Sequence, residues 1–179
     1  MRYVGAARRL VHELKFGAAL PVGGLLGGQL AAAVVAAGGD LPDLLVSVPL
    51  HWARVRSRGF NQAQEVARAA GRLLGRPVAP PGTAWRARAT AAQSSLVGAG
   101  ARRHNVAGAF GVSTAVRGMR VAIVDDVMTT GATVFELARR VRGAGAVGVE
   151  AWVCCRAGPP TRPGQDPAGW ESGVEVGHR

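Results

Sequence analysis

Apolar residues recur at two spacings along this chain, one suited to helices and one to strands, and their alternation lays out the elements. In residues 3–16, Val4, Leu10, Val11 and Leu14 share one face of a predicted helix, with Arg8, Arg9 and Lys15 elsewhere. Gly17 ends it, and Pro21 is placed to open a second helix that runs to Ala37. After a turn at 38–42, the run Leu44-Leu45-Val46-Ser47-Val48 reads as a buried strand halted by Pro49. Residues 51–62 are polar and arginine-rich and predict a loop, 63–74 predict a helix, and 77–79 a short strand. From 82 to 108 no period is sustained. That stretch predicts an irregular, mobile segment with no more than a helical turn, and compact domains rarely keep one without a functional reason. Residues 109–112 and 120–124 predict strands, the second ending at Asp125 and Asp126. A helix at 133–144 follows, with Val134, Leu137, Ala138 and Val141 on one face, and then a strand at 147–155. Strands alternating with helices argue for an α/β domain with a mainly parallel sheet. Beyond 157, glycine, proline and charge dominate and predict a disordered tail to 179.

Composition changes this picture little. With 179 residues and 48% apolar content, the chain suits one compact domain. No apolar run is long enough to cross a bilayer, and Glu13 and Lys15 interrupt the stretch where a signal peptide needs its apolar core. A cytoplasmic protein is the expectation. The two cysteines, Cys154 and Cys155, are neighbours on a predicted strand and take opposite faces, which disfavours a disulfide between them, and they lack zinc-site spacing. They read as buried thiols in a reducing compartment. The formal charge of +11 fits a polyanionic partner, but also the arginine excess of a GC-rich genome. Single-stranded DNA is a candidate partner on charge, while an aromatic content of 5% weighs against a base-stacking surface.

The informative stretch is Val121-Ala122-Ile123-Val124-Asp125-Asp126-Val127-Met128-Thr129-Thr130-Gly131-Ala132-Thr133. Two carboxylates stand at the carboxyl end of a strand, where open α/β sheets place their ligands. A small, hydroxyl-rich loop then opens a helix. Gly131 permits a tight turn, the N–H groups of Thr129, Thr130, Gly131, Ala132 and Thr133 lie at a helix N-terminus and favour an anion, and the aspartates accept from vicinal hydroxyls. A ligand with a diol at one end and a phosphate at the other satisfies both halves. A polar turn capped by the two aspartates is the plainer reading of each residue taken alone. The joint strand–loop–helix pattern favours the ligand.

This segment resembles the signature of type I phosphoribosyltransferases, Asp-Asp-x-x-Thr-Thr-Gly-x-Thr after an apolar strand. The resemblance extends to the ComF/GntX branch through Leu14-Lys15-Phe16, Ser47-Val48-Pro49-Leu50-His51, Arg54, Arg58-Gly59-Phe60-Asn61-Gln62, Arg86, Arg88, Thr90, Gln93, Arg102, Asn105 and Gly108-Ala109-Phe110. It implies a phosphoribosyltransferase-like domain over 1–156, with a mainly parallel central sheet flanked by helices and a small helical hood at 1–37. It implies a ligand, 5-phosphoribosyl 1-pyrophosphate (PRPP), carried with Mg2+ that is bound mainly through PRPP and not by protein ligands. By the same resemblance, Asp125 and Asp126 hold the ribose hydroxyls and 129–133 the 5-phosphate. Val48, Pro49, Leu50 and His51 form a pyrophosphate loop of unusual peptide geometry, with Arg54, Arg56, Arg58 and Asn61 lining the approach. Arg86, Arg88, Thr90 and Gln93 belong to a lid at 82–108. The acceptor is unidentified, a homodimer is common among relatives, and ComF proteins are linked to DNA uptake. Many members carry a cysteine-rich module ahead of this domain. Here the sequence opens on the domain's first helix with no cysteine before it, as expected of either a short variant or a misplaced start site, so no role of that module is carried over.

Overall fold

The computed structural model describes residues 20–88 and 99–157. Five helices and five strands lie in these segments: α1 (Leu20–Ala37), β1 (Leu44–Ser47), α2 (Trp52–Arg58), α3 (Gln62–Leu74), β2 (Ala84–Arg86), α4 (Ala99–Val106), β3 (Phe110–Val112), β4 (Arg120–Met128), α5 (Ala132–Gly143) and β5 (Gly148–Arg156). A single 3₁₀ turn, Thr114–Val116, precedes β4. The central sheet has the order β1-β4-β5 and is parallel throughout, with Leu44 opposite Val121 and Arg120 opposite Gly148. This is the α/β architecture with a parallel sheet that the alternating pattern predicts. β2 and β3 form a separate antiparallel pair.

The sheet separates two cores because strand side chains alternate faces. Leu44, Val46, Val121 and Ile123 pack with Val134, Leu137, Ala138 and Val141 of α5. Leu45, Ala122, Val124 and Trp152 pack with Leu26, Leu30 and Val34 of α1 and Val66 and Ala70 of α3. Burying each of these large side chains contributes roughly 1.5–3 kcal/mol. The α1–α3 crossing is close because Gly27 sits at it. A Cβ there would lie 2.7 Å from the Val66 carbonyl oxygen and 3.0 Å from the Ala70 nitrogen. Both cysteines are free and buried, as expected.

Four local expectations need correction. Residues 51–62 are not one loop, since Trp52–Arg58 is a helix with no buried residue. It has no apolar stripe to detect, and its ends are what define it: His51 Nδ1 accepts from the Ala53 N–H at 3.4 Å, and Gly59 closes it in the left-handed conformation. The segment from 82 to 108 holds β2 and α4, so its described parts are regular. Finally, β4 does not stop before the aspartates. It runs to Met128 because β5 is equally long and pairs with it as far as Met128 opposite Arg156. The short strand expected at 77–79 is a single bridge, Val78 to Leu45. The helix expected at 3–16 and the tail from 158 lie outside the described residues.

Candidate functional site

The site is built where β1 ends beside β4, at Ser47 opposite Val124. Asp125 and Asp126 are successive residues of β4 and so take opposite faces of the strand. Each folds back on the backbone: Asp125 Oδ1 accepts from the Asp126 N–H and Asp126 Oδ1 from the Val127 N–H, both at 2.9 Å. These bonds fix both carboxylates. Asp126 is buried and Asp125 half-buried.

Beyond β4, Gly131 is the N-cap of α5 at φ 76°, and no side chain caps the helix. Phe135 N–H donates to the Gly131 carbonyl at 2.9 Å and starts the ladder. The positive end of the helix dipole at this start favours an anion. The Phe135 ring occupies the space a Cβ on Gly131 would need. Gly131 and Ala132 are buried, Thr130 and Thr133 half-buried and Thr129 exposed.

The loop after β1 is pinned from two sides. Val48 N–H donates to Val124 O at 2.9 Å, and Asn61 Nδ2 donates to Val48 O at 3.0 Å while its Oδ1 caps α3. Pro49 has no N–H, so backbone donors in this loop must come from Leu50 and His51. The described residues contain no cis peptide bond. His51 caps α2, a structural role.

The arginines converge on the carboxylates from two elements. Arg58 of α2 has its pKa lowered by burial and by Arg54, against which Asp126 acts. Arg86 of β2 is pushed down to about 10 by burial and by Arg54, with Asp125 opposing and Arg88 adding to the push. Arg86 remains charged at neutral pH. The guanidinium of Arg86 lies 5.3 Å over the Phe110 ring. Three arginines thus outnumber two aspartates in one neighbourhood, which suits a ligand carrying more negative charge than one phosphate. Cys154 lies behind the pair. Burial, Cys155 and the two aspartates push its thiol far up, so it is a neutral packing group, with Sγ 3.9 Å from Leu26 O.

Of the residues singled out from sequence, the structure therefore brings Asp125, Asp126, Arg54, Arg58 and Arg86 into one electrostatic neighbourhood, with 129–133 directly following the aspartates. Arg88 is engaged elsewhere, donating to the Asn105 and Ala107 carbonyls at 3.2 and 3.0 Å. Thr90, Gln93, Lys15 and the side chain of Arg102 lie outside the described residues. Gln62 was not among the predicted site residues. It is buried and accepts from Arg58 Nη1 at 3.3 Å. The sequence signal for it is its place in the Arg58-Gly59-Phe60-Asn61-Gln62 motif that carries the family resemblance.

Several curated proteins are similar to this chain in sequence. The DNA utilization protein YhgH of Salmonella typhimurium is 40% identical over 158 residues, covering 82% of this chain and 66% of that protein. The protein of the same name in Escherichia coli is 38% identical over 157 residues, with the same coverage. Competence protein F of Haemophilus influenzae is 34% identical over 120 residues, or 65% of this chain and 52% of that protein. The chain belongs to the ComF family. It spans just under two thirds of the length of its YhgH relatives. No family profile matches it. Among solved structures, the glutamine PRPP amidotransferase of B. subtilis, complexed with ADP and GMP, superposes with a TM-score of 0.50 at 19% identity, over 74% of this chain and 26% of that one. A structure titled as the allosteric regulatory enzyme of purine biosynthesis matches with the same figures. At that identity the likeness establishes the type I phosphoribosyltransferase fold of this ComF-family chain. No helix among the described residues is long and apolar enough to cross a membrane.

Proposed function

We propose that this ComF-family chain binds PRPP and transfers its phosphoribosyl group to an acceptor, releasing pyrophosphate. The observation that carries the reading is the junction of β4 and α5. A fixed carboxylate pair runs directly into a helix start whose N-cap glycine supplies no side-chain cap, with Arg58 in the field of Asp126, Arg86 in that of Asp125, and Arg54 beside both arginines. In this reading Thr129–Thr133 hold the 5-phosphate and Asp125 and Asp126 the ribose hydroxyls. Leu50 and His51 N–H groups, with Arg54, Arg58 and Arg86, hold the pyrophosphate. An acceptor lone pair forms the new bond to the anomeric carbon as the bond to the pyrophosphate oxygen breaks. Positive charge develops on the sugar and negative charge on the leaving group, so the arginines stabilise the departing side. The acceptor's proton leaves to solvent.

Among the described residues, no three histidine, cysteine, aspartate or glutamate side chains converge as a metal site. Two hard carboxylate oxygens beside a diphosphate suit a Mg2+ shared with the ligand, which would neutralise the leaving group's charge. The names of the relatives add a second reading, supported by one surface. Trp52 is 62% exposed on α2, with the Arg56 guanidinium 5.7 Å over its ring. An aromatic–arginine pair of this kind suits a stacked base of single-stranded DNA, and the chain's charge suits its backbone.

Calorimetry with PRPP and Mg2+ tests the first reading. Wild type binds and Asp125→Ala loses at least tenfold in affinity; no wild-type binding sinks it. Pyrophosphate release across an acceptor panel, abolished in Asp126→Asn, separates a transferase from a PRPP sensor, which binds without release. Salt-dependent binding of single-stranded DNA that survives Asp125→Ala but falls in Trp52→Ala would support the second reading.

A further inference from the structure

Gln62 has the lowest exposure of the buried polar residues among those described, at 3%. Its amide is half used. Oε1 accepts from Arg58 Nη1 at 3.3 Å, whereas the buried Nε2 has no hydrogen-bond acceptor among the described residues. Turning the amide over would set its NH2 against the guanidinium donors of Arg58, so Arg58 dictates the orientation. A buried amide donor left unmatched is destabilising, and native proteins keep few of them. Such a group persists where the geometry serves something other than stability.

The geometry it serves is that of Arg58. This arginine is exposed to the fields of Arg54 and Asp126 and lies on α2, a helix that buries none of its residues. Packing of its own helix therefore does little to fix its direction. Gln62, rooted in the first turn of α3, is firmly held: Asn61 caps that turn, and Val66, Ala67 and Ala70 of the same helix are buried in the core.

We infer that Gln62 is a positioning residue of the anion site: through Oε1 it aims the Arg58 guanidinium at the ligand's phosphate groups, and its unmatched Nε2 is the stability cost of that aim. The inference rests on the PRPP reading above and adds a residue acting through Arg58 without touching the ligand. It has an unusual consequence. Removing the Gln62 amide weakens ligand binding and leaves the ligand-free fold as stable or more so.

The test is a double-mutant cycle with Gln62→Leu and Arg58→Ala, read by thermal unfolding without ligand and by calorimetry with PRPP and Mg2+. Gln62→Leu is expected to unfold at or above the wild-type temperature and to bind PRPP about tenfold or more weakly. In the Arg58→Ala background, Gln62→Leu is expected to cause no further loss of affinity, because the residue acts through Arg58. Wild-type affinity in Gln62→Leu, or additive losses in the double variant, overturns the inference and leaves the PRPP reading standing. So does a Gln62→Leu protein that is destabilised or fails to fold, since its amide is then structural. Failure of wild type to bind PRPP overturns both.

Discussion

Replacing Gly131 by alanine isolates what the α5 start contributes. Gly131 sits at φ 76°, where an L side chain costs about 1–2 kcal/mol. The added Cβ also meets the Phe135 ring, with its Cδ2 at 2.9 Å, so the ring must shift or leave its rotamer. Overpacking of that kind costs about 1–3 kcal/mol. The sum is about 2–5 kcal/mol, which for a domain of this size lowers Tm by about 4–20 °C. Gly118 supplies the control. It has φ 73° and no heavy atom within 4 Å of a built Cβ, so Gly118→Ala carries the backbone cost alone. Urea unfolding of both variants separates the two contributions. Phe135→Ala in the Gly131→Ala background should recover the steric part relative to Phe135→Ala alone. If Gly131→Ala costs no more than Gly118→Ala, the Phe135 ring does not fix the loop, and the argument for a rigid anion cradle fails with it.

Two pH-dependent outcomes accompany this one. Burial raises the pKa of Glu150, against a Trp152 hydrogen bond and Arg120, so ionising it opposes folding. Glu150→Gln should therefore be more stable than wild type at neutral pH, by under about 1 kcal/mol, with the gap closing as pH falls below the ordinary glutamate range; a gap that persists in acid refutes the cause. Glu136 goes the other way. Burial pushes it up, but bonds from Arg139, the Gly108 N–H and Arg140 prevail and hold it low. Its stabilisation is present above the unfolded carboxylate pKa and lost as pH falls through the folded one. Glu136→Gln should cost about 0.5–1.5 kcal/mol at neutral pH and nearly nothing at acid pH, measured by urea unfolding at each pH.

The parts of the fold that could be read from the chain are those whose neighbours are local. β1, β4, α5 and β5 carry apolar periods fixed by the sheet, and the aspartates and the 129–133 loop lie inside one contiguous segment. What escaped was set by distant partners. The length of β4 beyond Asp125 is decided by pairing such as Val127 with Cys155, which no local pattern reveals. α2 buries nothing, so it lacks the stripe that marks a helix. β2 has three residues and depends on β3 for its pairing, with Arg86 opposite Phe110. Gln62 reads as the last residue of an arginine-rich loop. Its place beside Arg58 follows from how α2 turns back at Gly59.

The backbone contact at Gly27 decides which half of the molecule is able to give. With α1 seated almost directly on the main chain of α3, and both pressed on Trp152, the wall behind Asp126 has no slack to slide. In the proposed complex, any adjustment to a bound anion falls to the other side, where Arg86 stands on a strand of three residues and Arg54 on a helix with no buried residue.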